Sequence, residues 1–423
     1  MAKLLLIILD GVADRPDPSL NWTTPLEAAR TTYLDRIARG ALLKRVQPLG
    51  KRLAPESDVA VFSILGYQFD DDYPGRGVVE AVGTGLDFRD GDLALRANFA
   101  TISADGTIAD RRVGRDLTSQ EAARLANSIN RHVKLDGATF SFVSTVGYRG
   151  VLVIRAREPL SPGVTNTDPG YIQAGGMGFV RQNSTRARLL SCKPTNSQRS
   201  SKIAASLVNS FVQQSLRVLS SAKVNEIRSK QNKKVANAIL LRDAGSFLPI
   251  IRKLPEKYSK SFAAVVDMPV EKGISRLAGM KEFEAGGQND YEAKAAKCLD
   301  LLNNFDVVYV HLKGPDEPGH DGNAKAKKEV IEEIDLRFFK VILSSPTTSE
   351  FYIVISADHA TPCQLRAHSN DPVPLLVQGP GISGKFGCRF TEGNSRSASK
   401  SIMPSYRILG WLMTEFLNRP RTA

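Results

Sequence analysis

The feature that most restricts the fold is the apolar run at residues 3–9, which continues without a polar residue from Leu4 and then stops at Asp10-Gly11. A run with no polar alternation reads as a strand buried on both faces, the kind found in parallel sheets covered by helices. It is too short to span a bilayer and lacks a small-residue cleavage site, so it reads as neither a membrane segment nor a signal peptide. Residues 24–39 then read as a helix, with Thr24 as N-cap and Pro25 at the first helical position. Residues 53–66 read as a loop feeding a helix whose first residues, from Ser57, are polar. From Ala236 the same alternation resumes. Strands are expected at 236–241, 263–266, 306–312 and 351–356, and helices near 291–302 and 325–342. Glu329, Glu332 and Glu333 on the last helix read as a solvated face.

Between these stretches the texture differs. Strands are expected at 93–102, 140–146 and 150–155, a helix at 119–130, and an amphipathic helix at 204–217. The stretch after Ser161 is rich in Gly, Ser, Asn and basic residues and reads as long loops. A chain of 423 residues exceeds one ordinary core. The pattern therefore predicts an α/β fold made of residues 1–74 and 235–423, interrupted by a smaller α+β insertion at 75–234.

Ligands of such sheets collect beyond the carboxyl ends of the strands. Asp10, Asp316 and the pair Asp358-His359 each follow an apolar strand. The chain has five histidines, and three of them, His320, His359 and His368, fall in the two stretches that carry Asp316 and Asp358. The others are His132 and His311. Carboxylates interleaved with imidazoles suit a divalent ion such as Mn²⁺ or Zn²⁺, and this many donors suffice for two. Two such ions orient a nucleophile and offset charge in phosphoryl transfer. Ser57, at a helix N-terminus, is the best placed nucleophile; Ser63 is weaker, being inside the apolar part of the helix. From spacing alone Ser57 reads equally well as a plain helix cap.

The net charge of +13 is concentrated at 181–234, where twelve Lys/Arg face one acid, Glu226. Phe211 is the one aromatic there, which argues against a base-stacking surface and for an anion-attracting field. The four cysteines, Cys192, Cys298, Cys363 and Cys388, are scattered without a CxxC pair and read as reduced thiols of a cytoplasmic protein.

Several stretches carry a resemblance: ILDGVADRP, ESDVAVFSILGY, GRGVVEAVGTGL, RANFAT, VNEI, HLKGPDEPGHDG and SADHATPCQLRAHSNDPVPLLVQGPG. Nearly end to end, the chain resembles the archaeal-type, cofactor-independent phosphoglycerate mutases of the alkaline phosphatase superfamily. The resemblance implies an alkaline-phosphatase-like, mostly parallel central sheet flanked by helices, with the insertion closing over substrate and excluding water. It implies two divalent ions, Mn²⁺ in first place with Zn²⁺, Co²⁺ or Mg²⁺ as alternatives. Asp10, Ser57, Asp358 and His359 match the ligands of one ion; Asp316, His320 and His368 match those of the other. Ser57 would carry a phosphoserine intermediate in the glycolytic and gluconeogenic interconversion of 3-phosphoglycerate and 2-phosphoglycerate, without 2,3-bisphosphoglycerate. Substrate contacts would come from Asp14, Arg15, Arg96, Asn98, Arg149, Asp168 and Lys313, with Arg112 and Arg115 as further candidates.

The resemblance implies a small-molecule substrate, no nucleic-acid or membrane partner, and is compatible with a homo-oligomer. The chain departs from the family at Gly147-Tyr148-Arg149, where Gly-His-Arg is common, and at Val59, where Thr is usual. The same metal set would serve a phosphatase, a phosphopentomutase or a sulfatase. Ser57 lacks the Cys/Ser-x-Pro-x-Arg context of a sulfatase, and a phosphopentomutase is expected to use Thr. A nucleic-acid-binding or scaffold protein would rest on the basic segment and make no demand on the ligand residues.

Overall fold

Strand Leu4–Leu9 is buried along its whole length, as its composition requires. It lies between Val307–Leu312 and Tyr352–Ser356 and is parallel to both, with Leu9 opposite Leu312 and Ile8 opposite Ser356. In the computed structural model, which describes residues 2–50, 54–69, 73–174, 177–180, 187–384 and 389–418, these three are the middle of an eight-stranded sheet. The full order is Lys281–Phe283, Phe262–Val265, Val307–Leu312, Leu4–Leu9, Tyr352–Ser356, Val373–Gln378, Leu42–Gln47 and Ile402–Pro404. Val373–Gln378 is antiparallel to both of its neighbours; every other pairing is parallel. The mostly parallel sheet with helices around it is the fold expected from the apolar runs.

Two helices expected as single rods are interrupted. Thr24 caps Pro25–Ala28 through a capping box with Glu27, but Ala29 turns extended and a second helix begins at Thr32. The Arg389 guanidinium takes the carbonyls freed there, donating to Glu27 O (2.8 Å) and Ala29 O (2.6 Å). The later helix runs over Ala324–Ile334, widens into a π turn at Asp335–Phe339 and closes as Lys340–Ser344. Asp335, on that turn, accepts from the backbone N–H of Tyr33 and Leu34 at the start of the Thr32–Ala38 helix. The remainder of this helix was legible from its period.

The chain divides into two compact units: Met1–Gln68, Ile251–Asp267 and Ile274–Ala423 form the first, and Phe69–Ile250 with Met268–Gly273 the second. The second unit therefore extends past the expected boundary at 234. Strand Ala238–Gly245, read from sequence as the return of the α/β pattern, pairs antiparallel with Leu93–Ile102 inside the second unit. That sheet also holds Ile108–Asp110, Arg149–Ala156 and Ala138–Ser144, all antiparallel. Helices Ser119–His132 and Arg199–Ser220 cover a core of Leu95, Phe99, Phe142, Phe211 and Ile239. On a separate cluster, Val78 and Ala81 of helix Arg76–Thr84 pack with Ala94, Val151 and Val153.

The basic segment is less free than its composition suggests. Arg228 is fully buried and pairs with Asp116 and Glu121; Lys234 pairs with Asp110, Arg188 with Asp105 and Arg199 with Glu158. Acids from earlier in the same unit thus neutralise several of its charges. Leu53, Arg181, Arg186 and Cys388 lie outside the described residues. Cys192, Cys298 and Cys363 are free and buried. Among the described residues no helix is long and apolar enough to cross a membrane.

Candidate metal centre

The three central strands of the first unit each deliver ligand-type side chains at their carboxyl ends. Asp10 follows Leu9; Lys313 and Asp316 follow Leu312; Asp358 and His359 follow Ser356. The chain between Asp358 and His368 then folds back, so that Ser369 bridges to Ala360. Helix Ser57–Ile64 brings Ser57 as its first residue, after an extended Glu56. Gly11 allows the close approach of these loops. Its φ is +58°, and a Cβ there would stand 2.6 Å from Thr361 Oγ1 and 2.8 Å from Asp316 Oδ1. Its N–H donates to Asp358 Oδ1 at 3.0 Å.

The seven expected ligands come together in one cluster. His359 Nε2 is 3.1 Å from Ser57 Oγ, 3.3 Å from Asp358 Oδ2 and 3.5 Å from Asp10 Oδ1. Beside it, His368 Nε2 is 3.1 Å from His320 Nε2 and 3.4 Å from Asp316 Oδ1, while His320 Nε2 is 3.5 Å from Asp316 Oδ2. The His359 and His368 rings stack with centroids 3.8 Å apart. Donors bound at about 2.1 Å around a single ion stand about 3.0–3.4 Å from one another, so both groups have the spacing of a metal's donor set. Three overlapping triads have ligand atoms that all lie within 4.8 Å of one another: Asp316, His320, His368; Asp10, Asp316, His359; and Asp10, His311, Asp358.

The electrostatics call for a cation in the same place. Asp10 Oδ1 and Asp358 Oδ2 are buried and accept no hydrogen bond from any described residue. Burial, then the charge of Asp10, pushes the Asp358 carboxyl up to about 7. Burial also acts on Asp10, but the Lys313 ammonium 2.9 Å away, with His311 and His359, holds it well below the carboxylate range. His359 is pressed towards its neutral form by burial and by His368, as a metal-binding imidazole must be. Burial lowers His368 too, yet Asp316 and Glu56 beside it raise it to about 10. The residues fit divalent ions: oxygen and nitrogen donors, buried, with uncompensated carboxylate charge.

Comparison with known proteins agrees with this fold. A family profile described as 2,3-bisphosphoglycerate-independent phosphoglycerate mutase matches residues 38–225. The chain is similar to the protein of that name from Aeropyrum pernix, with 41% identity over 96% of this chain and 98% of the relative. Identity to the Pyrococcus horikoshii protein of that name is 36%, over 99% and 97%. Among solved structures, a Pyrococcus horikoshii protein matches with a TM-score of 0.78 and 29% identity, over 100% of this chain and 99% of that one. The cofactor-independent phosphoglycerate mutase of Thermoplasma acidophilum matches with a TM-score of 0.63 and 32% identity, over 98% and 99%.

The chain belongs to the 2,3-bisphosphoglycerate-independent phosphoglycerate mutase family.

The substrate-contact residues expected of a mutase of this family are placed less uniformly than the ligands. In the first unit Lys313 reaches the cluster, at Asp10. Asp14 does not: its side chain is wholly covered, paired with Lys327 at 2.8 Å and accepting from the Cys363 N–H. It fastens two ligand-bearing loops to each other instead. Arg15 forms a surface pair with Asp371 at 2.7 Å. Ser63, the weaker nucleophile candidate, is buried against Ser405.

In the second unit, Arg96 is held between Glu80 (2.9 Å) and Asp243 (3.1 Å), and the Asn98 amide oxygen faces Arg242 Nη1 at 3.2 Å. Arg149 packs over the Tyr148 ring. Asp168 is fully buried and takes Arg111 at 2.6 Å and Arg242 at 3.4 Å, so it orients cations rather than meeting an anion directly. Sequence reading missed Arg111 and Arg242, which flank the Tyr171 ring. It also missed His311 and Thr361. His311 lies inside the apolar strand Val307–Leu312, where it reads as core.

Proposed function

We propose that this phosphoglycerate mutase transfers the phosphoryl group through Ser57, at a pair of divalent ions held by Asp10, Ser57, Asp358 and His359 on one side and Asp316, His320 and His368 on the other. The reaction of the family is the interconversion of 3-phosphoglycerate and 2-phosphoglycerate without 2,3-bisphosphoglycerate, an isomerisation. The observation that carries the reading is the Ser57 hydroxyl, 3.1 Å from His359 Nε2 and at the first turn of helix Ser57–Ile64. Free backbone N–H groups at such a terminus favour an incoming phosphoryl anion.

Divalent ions held by those residues would lower the pKa of the serine hydroxyl and offset charge on the phosphoryl oxygens. Ser57 Oγ attacks phosphorus; the bond from phosphorus to the C3 oxygen breaks, and that oxygen takes up a proton in place of the one Ser57 gives up. The glycerate then presents its C2 hydroxyl to the phosphoserine; the bond from that oxygen to phosphorus forms, the bond from Ser57 Oγ to phosphorus breaks, and a proton returns to Ser57 Oγ in place of the one the C2 hydroxyl gives up. Lys313, 2.9 Å from Asp10, places an amine next to the reacting group. Arg96, Arg149 and the arginines aligned by Asp168 are the second unit's candidates for the substrate's phosphate and carboxylate. The donors, carboxylate oxygens, imidazoles and one hydroxyl, suit Mn²⁺ first, and the buried free thiols suit a cytoplasmic setting.

Rapid acid quenching of the Mn²⁺-loaded protein during turnover, followed by peptide mass spectrometry, tests the intermediate. Phosphate on Ser57 is the expected result. Turnover with no phosphorylated Ser57 at any quench time would contradict it.

A further inference from the structure

His311 stands outside both expected donor sets but lines the same cluster. It is the penultimate residue of strand Val307–Leu312, paired opposite Ile8, and its side chain is buried. Its Nε2 lies 3.8 Å from Asp10 Oδ1 and 3.7 Å from Asp358 Oδ2. Those separations exceed hydrogen-bond length. They are a few tenths of an ångström wider than the donor spacing about one ion, and with the third separation they fall within 4.8 Å, so the three atoms form one of the cluster's three candidate groups.

The other ring nitrogen supports the same reading. His311 Nδ1 is 2.9 Å from Tyr309 Oη. The three expected imidazoles divide their nitrogens in the same way: Nδ1 of His320 faces Arg366 O (3.2 Å), Nδ1 of His359 faces Thr361 Oγ1 (3.1 Å), and Nδ1 of His368 faces Pro55 O (2.8 Å). A ring that gives its Nδ1–H to an oxygen leaves the Nε2 lone pair for a metal, and such a partner fixes both tautomer and orientation. In each of the four rings Nε2 faces a carboxylate of the cluster, Asp10 or Asp316.

We propose that His311 binds, through Nε2, the ion held by Asp10 and Asp358, with Tyr309 Oη accepting its Nδ1–H. The proposal rests on the metal-centre reading above. It adds a second imidazole to Asp10, Ser57, Asp358 and His359, making that set richer in nitrogen and so better suited to Mn²⁺, Co²⁺ or Zn²⁺ than to Mg²⁺. The competing arrangement has Tyr309 donating to Nδ1, so that Nε2–H points at the carboxylates and His311 only surrounds the site.

Co²⁺ added alone to the metal-free full-length protein, without substrate, separates the two. Each ligating imidazole should give one solvent-exchangeable, hyperfine-shifted N–H proton resonance. Four are expected, from His311, His320, His359 and His368; three, with none from His311, overturns the proposal. In His311→Leu one of the four should vanish and the visible Co²⁺ bands should change, whereas His132→Leu, on a helix of the other unit, should match the unaltered protein. A His311→Leu protein with unaltered resonances and bands also overturns it. If that variant does not fold, the resonance count in the unaltered protein decides by itself. Failure of the unaltered protein to bind Co²⁺ at all would remove the metal-centre reading, and this proposal with it.

Discussion

Ser57 and His359, 302 residues apart in the chain, meet with Oγ and Nε2 3.1 Å apart. The contact exists because a helix start and a strand end arrive at the same edge of the sheet, and it joins the proposed nucleophile to a proposed ligand of its ion. Ser57→Ala should therefore lower the mutase rate by a factor on the order of 10⁴–10⁶. It should leave the remaining carboxylates and imidazoles able to hold metal. Metal content after gel filtration and steady-state rates measure both; a variant that keeps its rate would exclude Ser57 as nucleophile.

Asp14 and Lys327 form an ion pair whose two side chains are fully covered, with Lys327 also donating to Thr361 O at 2.9 Å. Removing one partner of such a pair strands the other charge. Lys327→Met should cost about 3–5 kcal/mol of stability in urea unfolding. The double variant Asp14→Asn/Lys327→Met should recover part of that loss. A direct substrate role for Asp14 would show the opposite pattern: Asp14→Asn raising KM with stability unchanged.

Glu392 accepts from the Asp14 N–H (3.0 Å) and from Thr24 Oγ1 (2.8 Å), and burial pushes its carboxyl from 4.5 to about 7. The fold thus favours the protonated form. Its stabilising contribution is complete below the unfolded value near 4.5 and is lost as pH rises through about 7. Glu392→Gln keeps a neutral amide at every pH. The melting temperature of the variant, relative to the unaltered protein, should rise between pH 5 and pH 8. A difference that stays constant over that range would contradict the assignment.

What the sequence made legible follows from how locally each feature is encoded. Asp10, Asp316, Asp358 and His359 each follow an apolar run within a few residues, and the carboxyl ends of adjacent parallel strands lie at one edge of the sheet. Ala238–Gly245 shows the limit: a fully buried run has the same composition in either sheet, so periodicity gives the strand but not its partner. The break after Ala28 depends on Arg389, 360 residues from Ala29, and no local propensity anticipates it. His311 was hidden for a related reason. Inside an apolar strand it reads as core, and its relation to Asp10 and Asp358 appears only once the strands are paired.

The most direct measurement is the reaction of the purified, metal-free protein with 3-phosphoglycerate after addition of Mn²⁺, with no 2,3-bisphosphoglycerate present. Product is followed by phosphorus NMR. The account predicts that 2-phosphoglycerate appears, approaches the same equilibrium mixture from either substrate, and stops forming when a chelator is added. No 2-phosphoglycerate with Mn²⁺, Co²⁺, Zn²⁺ or Mg²⁺, or product only after 2,3-bisphosphoglycerate is supplied, would contradict it.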